Sequence, residues 1–67
     1  MENKQEICNL LLPALNATRN LDDLISLEYV EDKELVYAKF LSGSMKIANV
    51  SMDSGTAMIR DIIKQIV

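Results

Sequence analysis

The sequence contains no histidine and a single cysteine, Cys8. One cysteine cannot form an internal disulfide, and without histidine the chain lacks a common ligand for zinc and other metals. The same absence removes the base that most often activates a cysteine nucleophile. We therefore expect no metal, no cofactor and no catalytic residue. Cys8 is expected to serve as a small hydrophobic residue of the core.

Long apolar runs and an excess of basic residues are also missing. No run reaches the ~20 apolar residues that cross a bilayer, and the polar start M-E-N-K-Q-E lacks the hydrophobic segment of a secretory signal. The formal net charge is −3, whereas general nucleic-acid binders usually carry a clustered basic excess. Together with the unpaired cysteine, these features predict a cytoplasmic protein that binds no membrane and in general no nucleic acid.

The remaining composition is that of a small globular domain. The chain has 67 residues, 49% of them hydrophobic and 25% charged, and we expect one domain over residues 1–67. A domain of this size buries only about 60% of its unfolded surface, and its core supplies ~3–5 kcal/mol. With disulfides and metals set aside, association with a second copy or another protein is the remaining source of stability.

Residues 2–17 have the periodicity of an amphipathic helix. The apolar arc of that helix consists of Ile7, Cys8, Leu10, Leu11, Leu12, Ala14 and Leu15. Pro13 interrupts the pattern, because a proline inside a helix loses a hydrogen bond and crowds the preceding turn. The helix either stops at Leu12 and restarts or continues with a kink. We favour the second, since Pro13 falls on the polar side.

Three segments with alternating side chains follow, at residues 24–31, 35–41 and 45–52. A charged turn over residues 31–34 and a turn at Ser42-Gly43-Ser44 separate them. Connections this short predict an antiparallel meander of three strands.

The last segment, residues 54–67, again has helical periodicity, and Asp53 or Ser54 is a suitable N-cap. Its apolar positions are Ala57, Met58, Ile59, Ile62, Ile63, Ile66 and Val67. The element order is therefore α-β-β-β-α. We predict an α+β fold of two layers, with both helices on one face of the three-stranded antiparallel sheet.

Alternation assigns the strand residues to two faces. The face under the helices is predicted to contain Ile25, Leu27, Tyr29, Val36, Ala38, Phe40, Ala48, Val50 and Met52. The opposite face contains five further apolar residues, Leu35, Tyr37, Leu41, Met45 and Ile47. A solvated sheet face is normally more polar, so these five residues are the predicted interface. The alternative is that the interface uses the edge of the meander.

The joint between the third strand and the last helix has the sequence Asp53-Ser54-Gly55-Thr56. A helix start with free N–H groups, hydroxyls and a glycine can bind an anion, which makes Ser54, Gly55 and Thr56 a possible anion site. The alternative is that Asp53 or Ser54 caps the helix and Gly55 relieves crowding. We favour the cap, because the pattern of a phosphate-binding loop is absent.

The order α-β-β-β-α resembles the double-stranded-RNA-binding domain, a family of nearly this length. The resemblance is one of topology. The family has a Gly-Pro-x-His loop between its first two strands, where this chain has Val30-Glu31-Asp32-Lys33-Glu34. Its last helix begins with lysines, where this chain has Ser54-Gly55-Thr56-Ala57-Met58. No binding residue of the family carries over.

These observations predict a small, acidic, non-enzymatic protein–protein association module, a homodimer or a partner of another protein. The alternative is an accessory nucleic-acid-binding domain, which would need its basic residues on one surface. Those residues are Arg19, Lys33, Lys39, Lys46, Arg60 and Lys64. A third hypothesis is a small-ligand protein or enzyme that uses the joint at residues 53–56.

Overall fold

A computed structural model describes residues 3–52 and 54–66. Its elements are α1 (Lys4–Asn16), a short 3-10 helix (Arg19–Leu21), β1 (Leu24–Val30), β2 (Leu35–Phe40), β3 (Met45–Asn49) and α2 (Gly55–Ile66). The strands form one antiparallel sheet in the order β1-β2-β3. The predicted α+β fold with the order α-β-β-β-α is confirmed.

Both helices pack on the same face of the sheet. α1 contacts β1 and α2 contacts β3, and the buried residues of both helices join those of the strands in one cluster. The cluster consists of Cys8, Leu15, Leu21, Leu24, Leu27, Val36, Ala38, Phe40, Ala48, Val50, Met58, Ile62 and Ile66. The other face of the sheet therefore has no helix over it among the described residues.

The first helix runs without a break through Pro13, so it does not stop at Leu12 and restart. Asn3 caps it by accepting a hydrogen bond from the Glu6 N–H at 3.0 Å. Pro13 is exposed, so the carbonyl that its ring deprives of a partner can be hydrated. The predicted apolar arc was too wide, because Leu10 and Ala14 are exposed while Cys8 is buried.

The second helix buries a narrow stripe. Met58, Ile62 and Ile66, spaced four residues apart, are fully buried, because residues at i and i+4 lie on one side of a helix. Ile63 was predicted on the apolar face but is 40% exposed. Val67, predicted on the same face, lies outside the described residues.

A bulge changes the inward side of β1. Leu24 pairs with Phe40 and Ser26 with Lys39, so one extra residue, Ile25, stands between two consecutive pairs. With this bulge the Leu24 side chain points into the core, whereas Ile25 is 54% exposed. The prediction that Ile25 belongs to the core face was therefore wrong.

The third strand is shorter than predicted. It ends at Asn49, and Val50 N–H donates to the Glu34 carbonyl at 3.1 Å. The chain then turns, and Met52 has a φ of 64° and is 92% exposed. The prediction that Met52 belongs to the core was wrong, because the turn ends the alternation before that residue.

Candidate interaction surface

The sheet face that points away from the helices is the candidate functional surface. Strand register arranges it as three cross-strand rows. The rows are Ser26–Lys39–Met45, Glu28–Tyr37–Ile47 and Val30–Leu35–Asn49. We call these nine residues the open face. Four of the five predicted interface residues, all except Leu41, belong to it.

Apolar side chains are most accessible on the β3 side of the open face. Met45 is 50% exposed and Ile47 is 51% exposed, whereas Leu35 and Tyr37 are half-buried. Leu41 lies just after β2 and is 77% exposed. Tyr37 is directly opposite Ile47, which makes this pair the centre of the apolar part of the face.

Sequence reasoning missed one contributor to this surface. Ile25 bulges out of β1 and adds a further exposed apolar side chain beside Ser26. The available signal was the pair Leu24-Ile25, two consecutive apolar residues ahead of a regular alternation. Such a pair fits a bulge, where two residues stand opposite one.

The charges on the open face balance. Lys39 and Glu28 lie on it, one of each sign, while the whole chain has a formal charge of −3. The surplus of negative charge therefore lies elsewhere on the molecule. A neutral, partly apolar face favours contact with another neutral apolar surface over contact with a polyanion.

A glutamine of α1 closes the outer edge of β1. Gln5 accepts a hydrogen bond from the Tyr29 N–H at 2.9 Å, and its amide nitrogen donates to the Leu27 carbonyl at 3.3 Å. The side-chain amide thus takes the place of a neighbouring strand. The same amide nitrogen also donates a hydrogen bond to the Asn9 side-chain oxygen at 2.9 Å.

A glutamine of α2 likewise bonds the backbone at the outer edge of β3, but at a single residue. Gln65 accepts from the Asn49 N–H at 2.8 Å and donates to the Asn49 carbonyl at 2.9 Å. Neither glutamine belongs to the predicted apolar positions of its helix, so helical periodicity did not indicate these contacts. Each glutamine therefore engages one N–H and one C=O, shared between two residues on β1 and confined to one residue on β3.

Pairing with β2 fixes which backbone groups of β3 point outward. Phe40 N–H donates to the Ser44 carbonyl and Val50 N–H donates to the Glu34 carbonyl, so the backbone N–H and C=O groups of Ser44 and Val50 point towards β2. Since this direction alternates along an antiparallel strand, the backbone groups of Met45, Ile47 and Asn49 point away from β2, to the free edge of the sheet. Gln65 engages only the last of these three.

The predicted anion site lies at the start of α2. The helix begins at Gly55, which has a φ of 49°, and the Ser54 carbonyl accepts from the Ala57 N–H at 3.0 Å. Ser54 and Thr56 are exposed. Asp53, the other predicted cap, lies outside the described residues. A helix start alone is compatible with an anion but does not indicate one.

Cys8 is a core residue, as predicted. Its side chain is fully buried in α1. Burial raises the pKa of the Cys8 thiol from 9.0 to about 11, because a thiolate is poorly solvated away from water. The residue is therefore a protonated thiol at neutral pH, whereas a nucleophile would need the thiolate.

The basic residues named for nucleic-acid binding are spread over several elements. Lys39 lies on the open face, while Lys46 lies on the helix side and donates to the Ile66 carbonyl at 2.9 Å. The Lys46 ammonium is also 6.0 Å from the centre of the Phe40 ring. A cleft of about 310 Å³ adjoins it. Because Lys39 and Lys46 point to opposite sides of the sheet, they cannot contribute to one flat basic surface.

Comparisons with known proteins found no matching family model, no similar curated protein and no similar solved structure. None of the helices described within residues 3–52 and 54–66 combines the length and the apolar sequence that a membrane-spanning helix needs. Over the same residues, no three acidic, cysteine or histidine side chains gather as metal ligands would. The open face and the free part of the β3 edge are thus the features from which a function can be argued.

Proposed function

We propose that this chain is a non-enzymatic association module that forms a homodimer through the β3 side of its open face. The observation that carries the proposal is the half-exposed apolar pair Met45 and Ile47 beside Tyr37, on a face that no helix of the described residues covers. Exposed apolar groups on a domain with a small core favour association.

The size of the face sets the expected strength. Three strands ~4.8 Å apart and five residues of ~3.4 Å each give a flat area of roughly 250 Å². Stable complexes bury about 800 Å² on each partner. We therefore expect weak, reversible association, with a dissociation constant on the order of 10–100 µM.

Sedimentation velocity between about 5 and about 500 µM tests the proposal. Its expected result is a mass that rises with concentration from one chain towards two. Ile47→Lys should shift the protein to monomer, because it places a charge at the centre of the apolar patch. A folded wild-type protein that stays monomeric at the highest concentration would refute the proposal.

Ile63→Lys is the matched control. Ile63 is 40% exposed and lies on α2, away from the open face. Both variants add one positive charge to a similarly exposed isoleucine, so a general effect of charge would appear in both. Equal loss of association in the two variants would also contradict the proposed surface.

A further inference from the structure

The two edges of the sheet differ in which residues keep both of their outward backbone groups free. On β1, Gln5 engages outward backbone groups of both Leu27 and Tyr29. On β3, Gln65 engages Asn49, while the outward N–H and C=O groups of Met45 and Ile47 have no partner within residues 3–52 and 54–66. An open edge of this kind is a template for another strand.

We propose that two copies of this chain pair β3 with β3, antiparallel, about a two-fold axis beside Lys46. The three-stranded sheets would then join into one continuous six-stranded sheet. This inference rests on the proposed self-association and names its geometry: the edge, the register and the partner.

The register follows from which groups are free. With the axis beside Lys46, Met45 of one copy lies opposite Ile47 of the other, and the reverse pair forms by symmetry. Both positions point outward, so both pairs can exchange N–H and C=O bonds, giving up to about four main-chain hydrogen bonds. A shift by one residue would place backbone groups that point towards β2 at the seam. A shift by two would bring one of the two residues opposite Asn49, whose backbone Gln65 already engages, or opposite Gly43 in the turn before β3.

Side chains along the seam fit this pairing. Met45 and Ile47 lie on the open face, so each packs against the other residue type across the axis. Lys46 of one copy faces Lys46 of the other on the helix side, where like charges oppose pairing. Its ammonium is held back by the Ile66 carbonyl at 2.9 Å, which turns the charge towards its own chain.

The same features favour a second copy over a foreign strand. The free length of the edge is two outward residues, bounded by the turn before Met45 and by Gln65 at Asn49. A foreign peptide that adds a strand gains affinity from a longer ladder. A two-fold axis beside Lys46 pairs Met45 with Ile47 and Ile47 with Met45, so it uses both residues of the free edge and requires no others.

The deciding experiment compares Ile47→Pro with Ile47→Val in sedimentation velocity. Proline removes the outward N–H and is tolerated on a sheet edge, whereas valine keeps the N–H and the branched side chain. We expect Ile47→Pro to weaken association about 10-fold or more and Ile47→Val to change it by less than about threefold. Tyr37→Thr, in the central strand, should change it as little as Ile47→Val.

Amide hydrogen exchange on the unmodified protein gives an independent readout. Raising the concentration should slow exchange at Met45 and Ile47, while Tyr29 and Asn49, already bonded to glutamines, should change little. If the protein associates but these two amides stay unprotected, or if Tyr37→Thr abolishes association, edge pairing is wrong and the proposed function stands. A wild-type monomer overturns both.

Discussion

Replacing Gln5 by methionine tests whether a side-chain amide holds α1 against the edge of β1. Methionine has a similar length and remains a good helix former, so packing and helix propensity are nearly preserved. The substitution removes the hydrogen bonds at 2.9 Å to Tyr29 N–H and at 3.3 Å to the Leu27 carbonyl. Each such bond contributes ~0.5–1.5 kcal/mol net.

The expected loss is smaller than the sum of two buried bonds. Gln5 is half-buried, so water can reach part of the freed backbone at the sheet edge. We expect the free energy of unfolding to fall by about 1–2 kcal/mol, a large fraction of the ~3–5 kcal/mol that a core of this size supplies. Urea denaturation at one fixed protein concentration measures it, because self-association would add to the apparent stability.

Asn9→Ala is the matched control. Asn9 is exposed and accepts a hydrogen bond from the Gln5 amide, but it has no side-chain hydrogen bond to β1 among the described residues, so its loss should cost less than about 0.5 kcal/mol. The hydrogen-exchange rate of the Tyr29 amide should rise in Gln5→Met and stay the same in Asn9→Ala. Equal stability of Gln5→Met and wild type, with an unchanged Tyr29 amide, would refute the bridging role of Gln5.

Three further predictions concern stability. Met52→Gly should stabilise the fold by about 0.5–1 kcal/mol in urea denaturation, because Met52 is exposed with a φ of 64°; the same change at Met45, inside β3, should destabilise. Ile62→Ala should cost ~2–5 kcal/mol in circular-dichroism melts, while Ile63→Ala, its exposed neighbour, should cost less than ~1 kcal/mol. The pKa of Cys8 is raised from 9.0 to about 11, so the protonated thiol favours the folded state below pH 9 and this contribution is lost as the pH rises through 11. The free energy of unfolding of the wild type should therefore fall by up to about 2 kcal/mol relative to that of Cys8→Ala between pH 9 and 11, and parallel pH profiles of the two proteins would contradict this.

The order of helices and strands could be predicted because each element carries a clear period. Alternation in β2 placed Val36 and Ala38 inward, and both are fully buried. Spacing by four in α2 placed Met58 and Ile62 inward, with the same result. Periodicity succeeds where a regular element meets the core on one side.

The errors arose where regular geometry stops. The bulge at Ile25 adds a residue to one strand only, which a pattern in a single segment does not reveal. Met52 was misplaced because the end of β3 depends on Glu34, a residue distant in sequence that accepts from Val50. The glutamine contacts escaped for the same reason, since they join residues 24 and 16 positions apart.

Of the candidate surface, the sequence predicted four residues of the open face and offered an edge of the meander as an alternative, but it did not indicate which edge keeps its backbone groups free. Faces follow from alternation within a strand, whereas an edge depends on which strand is last in the sheet and on what covers it. Interface residues Leu35, Tyr37, Met45 and Ile47 therefore remain a prediction about function, now placed on one described surface.

The bulge in β1 has a consequence for changes in chain length. Without Ile25, Leu24 would precede Ser26 directly, and the pairs Leu24–Phe40, Ser26–Lys39 and Leu27–Ala38 would form an uninterrupted ladder. A one-residue deletion inside a strand normally exchanges its two faces. Here the deletion would keep every buried side chain of β1 in place, so this position is one at which the strand could lose a residue and retain its core.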